Sequence, residues 1–350
     1  MAGSAHVSWF EDVGLADRPT VGGKGGSLGE LQRAGIRVPP GFVVGTGAFE
    51  HFIGALERDA PVRAAVESLR ADDLAGIAEC SAALRARIED AELPRDLLHE
   101  IAAAHATLCA GDGIPAVAVR SSATTEDASD ASFAGLQDTY LWVRSLPETL
   151  RMVRSCWASL YSVESVSYRR RREFPEAGVA MAVVVQRMVD ARTAGVMFTR
   201  SPLTGDKSVI AVEAAWGLGS AVVGGEVTPD RWVIAKITGE ISRRDISDKA
   251  IQHVPAAAGG IDAVTVPEER RRLACLSDEE LQRLREIGRR VERHYGRAQD
   301  IEWAVDGDTG EILLLQSRPE TVWSAKEAAP VARAADNPLA HVMTIFGGRR

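Results

Sequence analysis

The chain has 350 residues, of which 45% are hydrophobic and 26% charged, and 49 acidic against 41 basic side chains give it a formal net charge of −8. It is long enough for a substantial core or for two or three domains, and too apolar for a disordered chain. The acidic balance argues against nucleic acid as the main partner, but it leaves room for an anionic small molecule held by a few placed cations.

In chain order, Gly22-Gly23-Lys24-Gly25-Gly26 reads as a loop, too glycine-rich for a regular element. Ser27 then caps a helix whose apolar face is Leu28, Leu31 and Ala34 and which Gly35 stops. Pro39-Pro40-Gly41 turns the chain into the strand Phe42-Val43-Val44. Residues 47–110 are Ala-, Leu- and Arg-rich and helical, with breaks near Asp59 to Pro61 and at Pro94. Ala116 to Val119 is a buried strand ending in Arg120, and the polar loop Ser121 to Asp127 follows. Next come Ser132-Phe133-Ala134-Gly135, the strand Thr139 to Val143, a helix over Pro147 to Arg172, and strands at 180–188, 193–199 and 208–214. Helix–strand alternation thus gives way to strand-rich chain, which predicts an α/β lobe joined to an α+β lobe, divided near residues 185 and 186.

Ser277-x-x-Glu280 is a capping box, with Leu281, Leu284, Ile287 and Val291 as the buried stripe behind it. The last clear elements form a hairpin, Asp300 to Val305 and Glu311 to Gln316, around Asp306 to Gly310. From residue 324 the chain reads as a linker and a short apolar-basic tail, Leu339 to Arg350.

No apolar run exceeds strand length, so no membrane span is expected. Residues 1–13 lack the basic-then-apolar order of a signal peptide. Cys80, Cys109, Cys156 and Cys275 are scattered, with no C-x-x-C pair, so a reducing cytoplasm is the expected setting.

Three features carry chemistry. The glycine cluster can offer backbone N–H groups and the Lys24 ammonium to phosphate oxygens. It is not a Walker A loop, because Arg18 stands where that pattern needs Gly and Gly25 where it needs Ser or Thr. Arg120, at a strand end beside hydroxyls and acids, is either a ligand contact or an ion-pair partner. In the hairpin, pairing Val305 with Glu311 sets Glu302 opposite Leu314 and Gln316 one diagonal step away. Asp300, Glu302, Ala304, Gln316 and Arg318 then share one face, while Ile301, Trp303 and Val305 take the other. An acid, an amide oxygen and an arginine on one face suit Mg²⁺ with phosphate, or else a solvated outer face.

Other motifs are weaker. Gly217 to Val222 has Val where a dinucleotide fingerprint needs Gly, so it reads as a plain turn. His99 and His105 lie on different sides of a helix and cannot form a zincin pair. Arg169 to Arg172 end a helix and read as solvated surface.

Taken in order, Val21-Gly-Gly-Lys-Gly-Gly-Ser-Leu-Gly-Glu-Leu, Val38-Pro-Pro-Gly-Phe, Ala118-Val-Arg-Ser-Ser-Ala-Thr-Thr-Glu-Asp, Ser132-Phe-Ala-Gly, Gly195-Val-Met-Phe-Thr-Arg, Asp300-Ile-Glu-Trp-Ala and Leu315-Gln-Ser-Arg-Pro-Glu-Thr form a specific set. This set, over residues 8–323, resembles the N-terminal nucleotide-binding domain of phosphoenolpyruvate synthase, pyruvate phosphate dikinase and rifampicin phosphotransferase. The resemblance implies a two-lobed ATP-grasp fold clamping ATP. By matching position, Lys24, Arg120 and Arg318 would act on the phosphates, with Thr139 in the lid region beside them. Gln186, Met188 and Val189 would line the adenine, and Glu213 would take the ribose. Glu302 and Gln316 would hold Mg²⁺. Leu136 departs from the usual Gln after Phe-Ala-Gly.

In that family ATP phosphorylates a His on a swivelling domain. Here the one His followed by Ala is His105, inside a helix, and none of the other six has a Gly- and Ser/Thr-rich setting. The resemblance therefore implies an ATP-binding subunit of a split phosphotransferase, laid out like phenylphosphate synthase. A separate subunit would bring the His and an acceptor such as phenol, and the products would be AMP and phosphate. A self-contained small-molecule kinase and a non-catalytic, nucleotide-gated binding module are the alternatives.

Overall fold

The computed structural model describes residues 6–110, 116–123 and 138–327. The loop from Thr124, the Ser132 to Gly135 motif, Leu136 and the Leu339 to Arg350 tail lie outside the described residues.

The first half of the chain supplies β1 (Val7–Trp9), α1 (Arg18–Arg33), β2 (Gly41–Val44), α2 (Thr46–Leu56), α3 (Arg63–Glu67), α4 (Leu74–Asp90), α5 (Arg95–Leu108), β3 (Val117–Ala123), β4 (Thr139–Val143), α6 (Leu146–Ser159), α7 (Val163–Arg171) and β5 (Met181–Arg187). Its five strands form an antiparallel sheet in the order β1-β2-β5-β3-β4. Strand alternation decides what each face meets. Phe42, Val44, Val117, Val119, Val183 and Val185 pack against helices with Phe49, Phe52 and Trp157. On the other face, Val43, Ala182 and Val184 pack under α1 through Val21 and Leu28.

After residues 188–190 the chain enters a second sheet. It runs through β6 (Ala191–Phe198), β7 (Val209–Trp216), α8 (Ser220–Val223), β8 (Asp230–Ala235), β9 (Ile241–Asp245), β10 (Ile251–Pro255), β11 (Ile261–Thr265), α9 (Glu268–Arg271), α10 (Asp278–Tyr295), β12 (Gln299–Asp306), β13 (Ile312–Pro319) and α11 (Val322–Glu327). Six of these strands form an antiparallel sheet in the order β13-β12-β6-β7-β8-β9, and β10 and β11 form a separate hairpin. Ile301, Trp303 and Val305 turn into a core with Leu281, Leu284 and Val291 of α10. The reciprocal capping box at the start of α10 is present: Ser277 Oγ accepts the Glu280 N–H at 3.2 Å, and the Glu280 carboxylate accepts the Ser277 N–H at 2.8 Å. Among the described residues no helix is long and apolar enough to cross a membrane.

Several expectations need correction. The glycine cluster is helical, with one break at Gly22 (φ 71°, ψ 177°), because packing rather than propensity selects its glycines. A Cβ on Gly29 would lie 2.3 Å from the Val13 carbonyl oxygen. Ser27 does not cap this helix; its hydroxyl donates to the Ser317 carbonyl at 2.6 Å, tying α1 to the second sheet. The helix expected over 147–172 is two helices, parted at residues 160–162. The linker expected from residue 324 starts inside α11.

Arg169 is not solvated surface. It is 1% exposed, forks onto Glu176 at 2.9 and 3.1 Å, and donates to the Leu160 carbonyl at 2.7 Å. Breaking a buried pair strands a charge, so Glu176→Ala should cost about 3–5 kcal/mol in urea unfolding. Arg171→Ala, on the exposed face, should stay within about 0.5 kcal/mol of the parent. Equal effects of the two would contradict this reading.

Candidate functional site

The lobe-to-lobe cleft begins at Gly22, where helix α1 breaks and restarts. The freed amides of Lys24 and Gly25 donate to Ser122 Oγ at 3.1 and 3.2 Å, and that hydroxyl donates to the Val21 carbonyl at 3.0 Å. One fully buried hydroxyl from β3 thus caps the restarted helix. Only glycine fits at the break, since its φ is positive and a Cβ would fall 2.1 Å from the Ser122 carbonyl oxygen. Lys24, 5% exposed, lines the cavity beyond.

Arg120 and Ser122 share one face of β3. Helix α1 covers the Ser122 end, and Arg120 leaves the sheet for the other lobe. Its Nη2 donates to Glu302 Oε2 at 3.0 Å and to Gln316 Oε1 at 2.7 Å, while Nη1 donates to the Leu315 carbonyl at 3.0 Å. The β12–β13 register explains why these acceptors meet. Val305 pairs with Ile312 rather than Glu311, and Trp303 with Leu314. A bulge at Leu315 then sets Glu302 directly opposite Gln316, not one diagonal step away. A bulge leaves one residue unpaired, and Arg120 takes the carbonyl of that residue.

The cavity between the lobes has a volume of about 830 Å³. Gln186, Met188 and Val189 line it where the chain crosses between sheets. Gln186 is held by its side-chain amide donating to the Pro39 carbonyl at 3.2 Å. Thr139 pairs with Arg120 in register and also lines the cavity. Arg318 stands at its edge, 61% exposed and 3.6 Å from Asp300, whose carboxyl burial pushes up to about 6 against the pull of Arg318. Glu213 is not among the cavity residues. It lies two strands from Glu302 in the same row of the sheet and pairs with Arg231 at 3.0 Å.

Sequence reasoning missed other parts of the site. Ala116, Trp142 and Leu218, with Met188 and Ile261, make an apolar patch beside the interlobe crossing. Trp142 adopts φ 54°, a strained value for a bulky residue, and its carbonyl accepts the Gly260 N–H at 3.3 Å from the β10–β11 turn. An aromatic residue in a strand reads as core, so nothing in the sequence marked it. Ser122 was visible as a hydroxyl beside Arg120, but its partner turn lies about a hundred residues away.

The donor set fits a hard divalent cation. A carboxylate oxygen and a carboxamide oxygen converge on one point that a positive group already occupies. Arg120 Nε is buried with no hydrogen-bond partner, a donor left unsatisfied while the guanidinium stays on its three acceptors.

The family model for the pyruvate phosphate dikinase AMP/ATP-binding domain matches residues 18–337. The chain belongs to this family. It is 40% identical over 317 residues to a probable phosphoenolpyruvate synthase of Methanocaldococcus jannaschii, covering 90% of this chain and 26% of that protein. It is 36% identical over 377 residues to the phosphoenolpyruvate synthase of Pyrococcus furiosus (96% and 46%), and 39% identical over 343 residues to that of Pseudomonas aeruginosa (94% and 43%). The chain therefore spans less than half the length of these relatives. The two-lobed α/β and α+β arrangement is the ATP-grasp fold of this AMP/ATP-binding domain.

Because Ser122 Oγ serves three buried backbone groups, Ser122→Ala should cost about 1–3 kcal/mol in urea unfolding and weaken ATP in calorimetry. An unchanged urea midpoint would mean that the hydroxyl does not hold the turn.

Proposed function

We propose that this chain is the MgATP-binding part of an AMP-forming, dikinase-type phosphotransferase, and that a separate subunit brings the phosphorylatable His and the acceptor site. The supporting observation is the convergence of Lys24, Arg120, Glu302 and Gln316 at one end of a cavity whose other end is apolar. Polar and apolar ends match the two halves of a nucleotide. Adenine would rest against Met188, Val189 and Trp142, and Thr139 and the lysine turn would flank the phosphates. Glu213 remains the proposed ribose contact only if its pairing with Arg231 yields to the nucleotide.

Glu302 and Gln316 would hold Mg²⁺, which neutralises charge on the phosphate oxygens when bound. Lys24 and Arg120 would complement that charge from the opposite lobe, and the exposed Arg318 guanidinium would stabilise the phosphoryl group in transfer. The partner's imidazole nitrogen would attack the β-phosphorus. A nitrogen–phosphorus bond forms, the bond from that phosphorus to the α,β-bridging oxygen breaks, and AMP leaves. Water would then attack the terminal phosphorus of the pyrophosphoryl-His and break the bridging P–O bond, releasing phosphate. The phosphoryl group left on the His would pass to the hydroxyl oxygen of an acceptor such as phenol or a related alcohol, which gives up its proton.

An external His is favoured because His105 is buried in α5, where burial pushes its imidazole below the usual range, and its Nε2 lies 3.7 Å from Cys109 Sγ. Four unpaired thiols suit a reducing cytoplasm.

The purified chain should bind MgATP alone, and Glu302→Ala should weaken the Mg²⁺-dependent affinity by about tenfold or more. Acceptor phosphorylation should need the His-bearing subunit and should release AMP. Phosphorylation of a hydroxyl acceptor by this chain alone, with ADP as product on chromatography, would point to a self-contained kinase instead.

A further inference from the structure

At the edge of the first sheet farthest from β4 and the cavity, three metal-ligating side chains meet that the nucleotide reaction does not use. His6 immediately precedes β1, His51 lies on α2 and Asp96 on the first turn of α5. One ligand atom from each lies within 4.8 Å of the other two. We infer that His6, His51 and Asp96 bind a borderline divalent transition ion of the Zn²⁺ type.

The site is built on fixed elements. The His6 main chain is pinned on both sides: its N–H donates to Glu100 Oε2 at 2.8 Å and its carbonyl accepts the Gly45 N–H at 2.9 Å. His51 and Asp96 sit on helices whose opposite faces enter the main core through Phe49, Phe52, Leu97 and Ile101. The imidazoles of His6 and His51 stack with centroids 5.2 Å apart and planes 8° from parallel, so one ring has to turn about its Cβ–Cγ bond to bring both in-plane lone pairs onto one ion. His51 Nε2 lies 3.2 Å from Asp96 Oδ1. Two ligand atoms at about 2.0–2.1 Å from one tetrahedral Zn²⁺ stand about 3.3 Å apart, so this pair already has the required spacing.

An ordinary His–Asp ion pair would account for His51 and Asp96. It does not account for His6, whose Nδ1 is buried with no hydrogen-bond partner. A metal ion bound through Nδ1 would supply that partner. Glu100 accepts the His6 backbone N–H and so fixes the main chain from which the imidazole projects. Two imidazoles and one carboxylate favour Zn²⁺, Ni²⁺ or Co²⁺ over Mg²⁺. The ion would clamp β1, α2 and α5 together, leaving Mg²⁺ to the other site.

The test is competition between the tag-free, chelator-stripped chain and a chromophoric chelator for Zn²⁺. One equivalent should bind, and affinity should fall about tenfold or more in His51→Ala and in Asp96→Asn. His105→Ala should bind as the parent does. Both ligand variants alter exposed side chains, and circular dichroism should find them folded with the parent's affinity for MgATP. Co²⁺ should give tetrahedral d–d bands that His51→Ala abolishes. Absence of stoichiometric Zn²⁺, equal affinity in the parent and both ligand variants, or loss of binding in His105→Ala would overturn the assignment.

Discussion

One guanidinium joins the two halves of this protein across its cleft. Arg120 starts on β3, deep in the first sheet, and ends on three acceptors of the second: a carboxylate, a carboxamide and a bulge carbonyl. With its side chain 10% exposed, its links run through a medium where charge-assisted hydrogen bonds are strong. Behind it, Ser122 ties the same strand to the lysine turn. Strand β3 therefore sets the spacing between the cationic turn of one lobe and the oxygen donors of the other.

Helix α1 is the second constraint. It closes one face of the first sheet, breaks at Gly22 to present Lys24, and ends with Leu31 in the core of the second sheet. Its glycines let it lie close to its neighbours: a Cβ on Gly25 would fall 2.9 Å from Val43. A residue type that weakens an isolated helix is here the condition for packing it. The cleft is thus framed by covalent continuity as well as by side-chain contacts, which keeps its two walls in register.

Much of this was legible in the sequence. A lone lysine among glycines, an arginine ending an apolar strand, and Glu302 alternating with Ile301 and Trp303 each carry a local signal, and their order carried the family. What escaped were features set by distant neighbours. The turn pairs Val305 with Ile312 rather than Glu311, and the bulge at Leu315 adds a second residue, so counting back from the turn misplaced Gln316 by one diagonal step. Arg169 looks like its exposed neighbours until Glu176 is brought against it. Glu213 has the chemistry for a ribose contact, but Arg231 on the next strand engages it outside the cavity. The strain at Trp142 and the stacking of His6 on His51 depend on segments far apart in the chain, which periodicity does not report.

The most direct test of the account is a crystal structure of the chain with Mg²⁺ and a non-hydrolysable ATP analogue. The account predicts metal bonds to the Glu302 carboxylate and the Gln316 carboxamide oxygen, Arg120 turned from them toward phosphate, and adenine against Met188 and Val189. A nucleotide bound elsewhere, with the Arg120 fork intact and no ion on either oxygen, would contradict it.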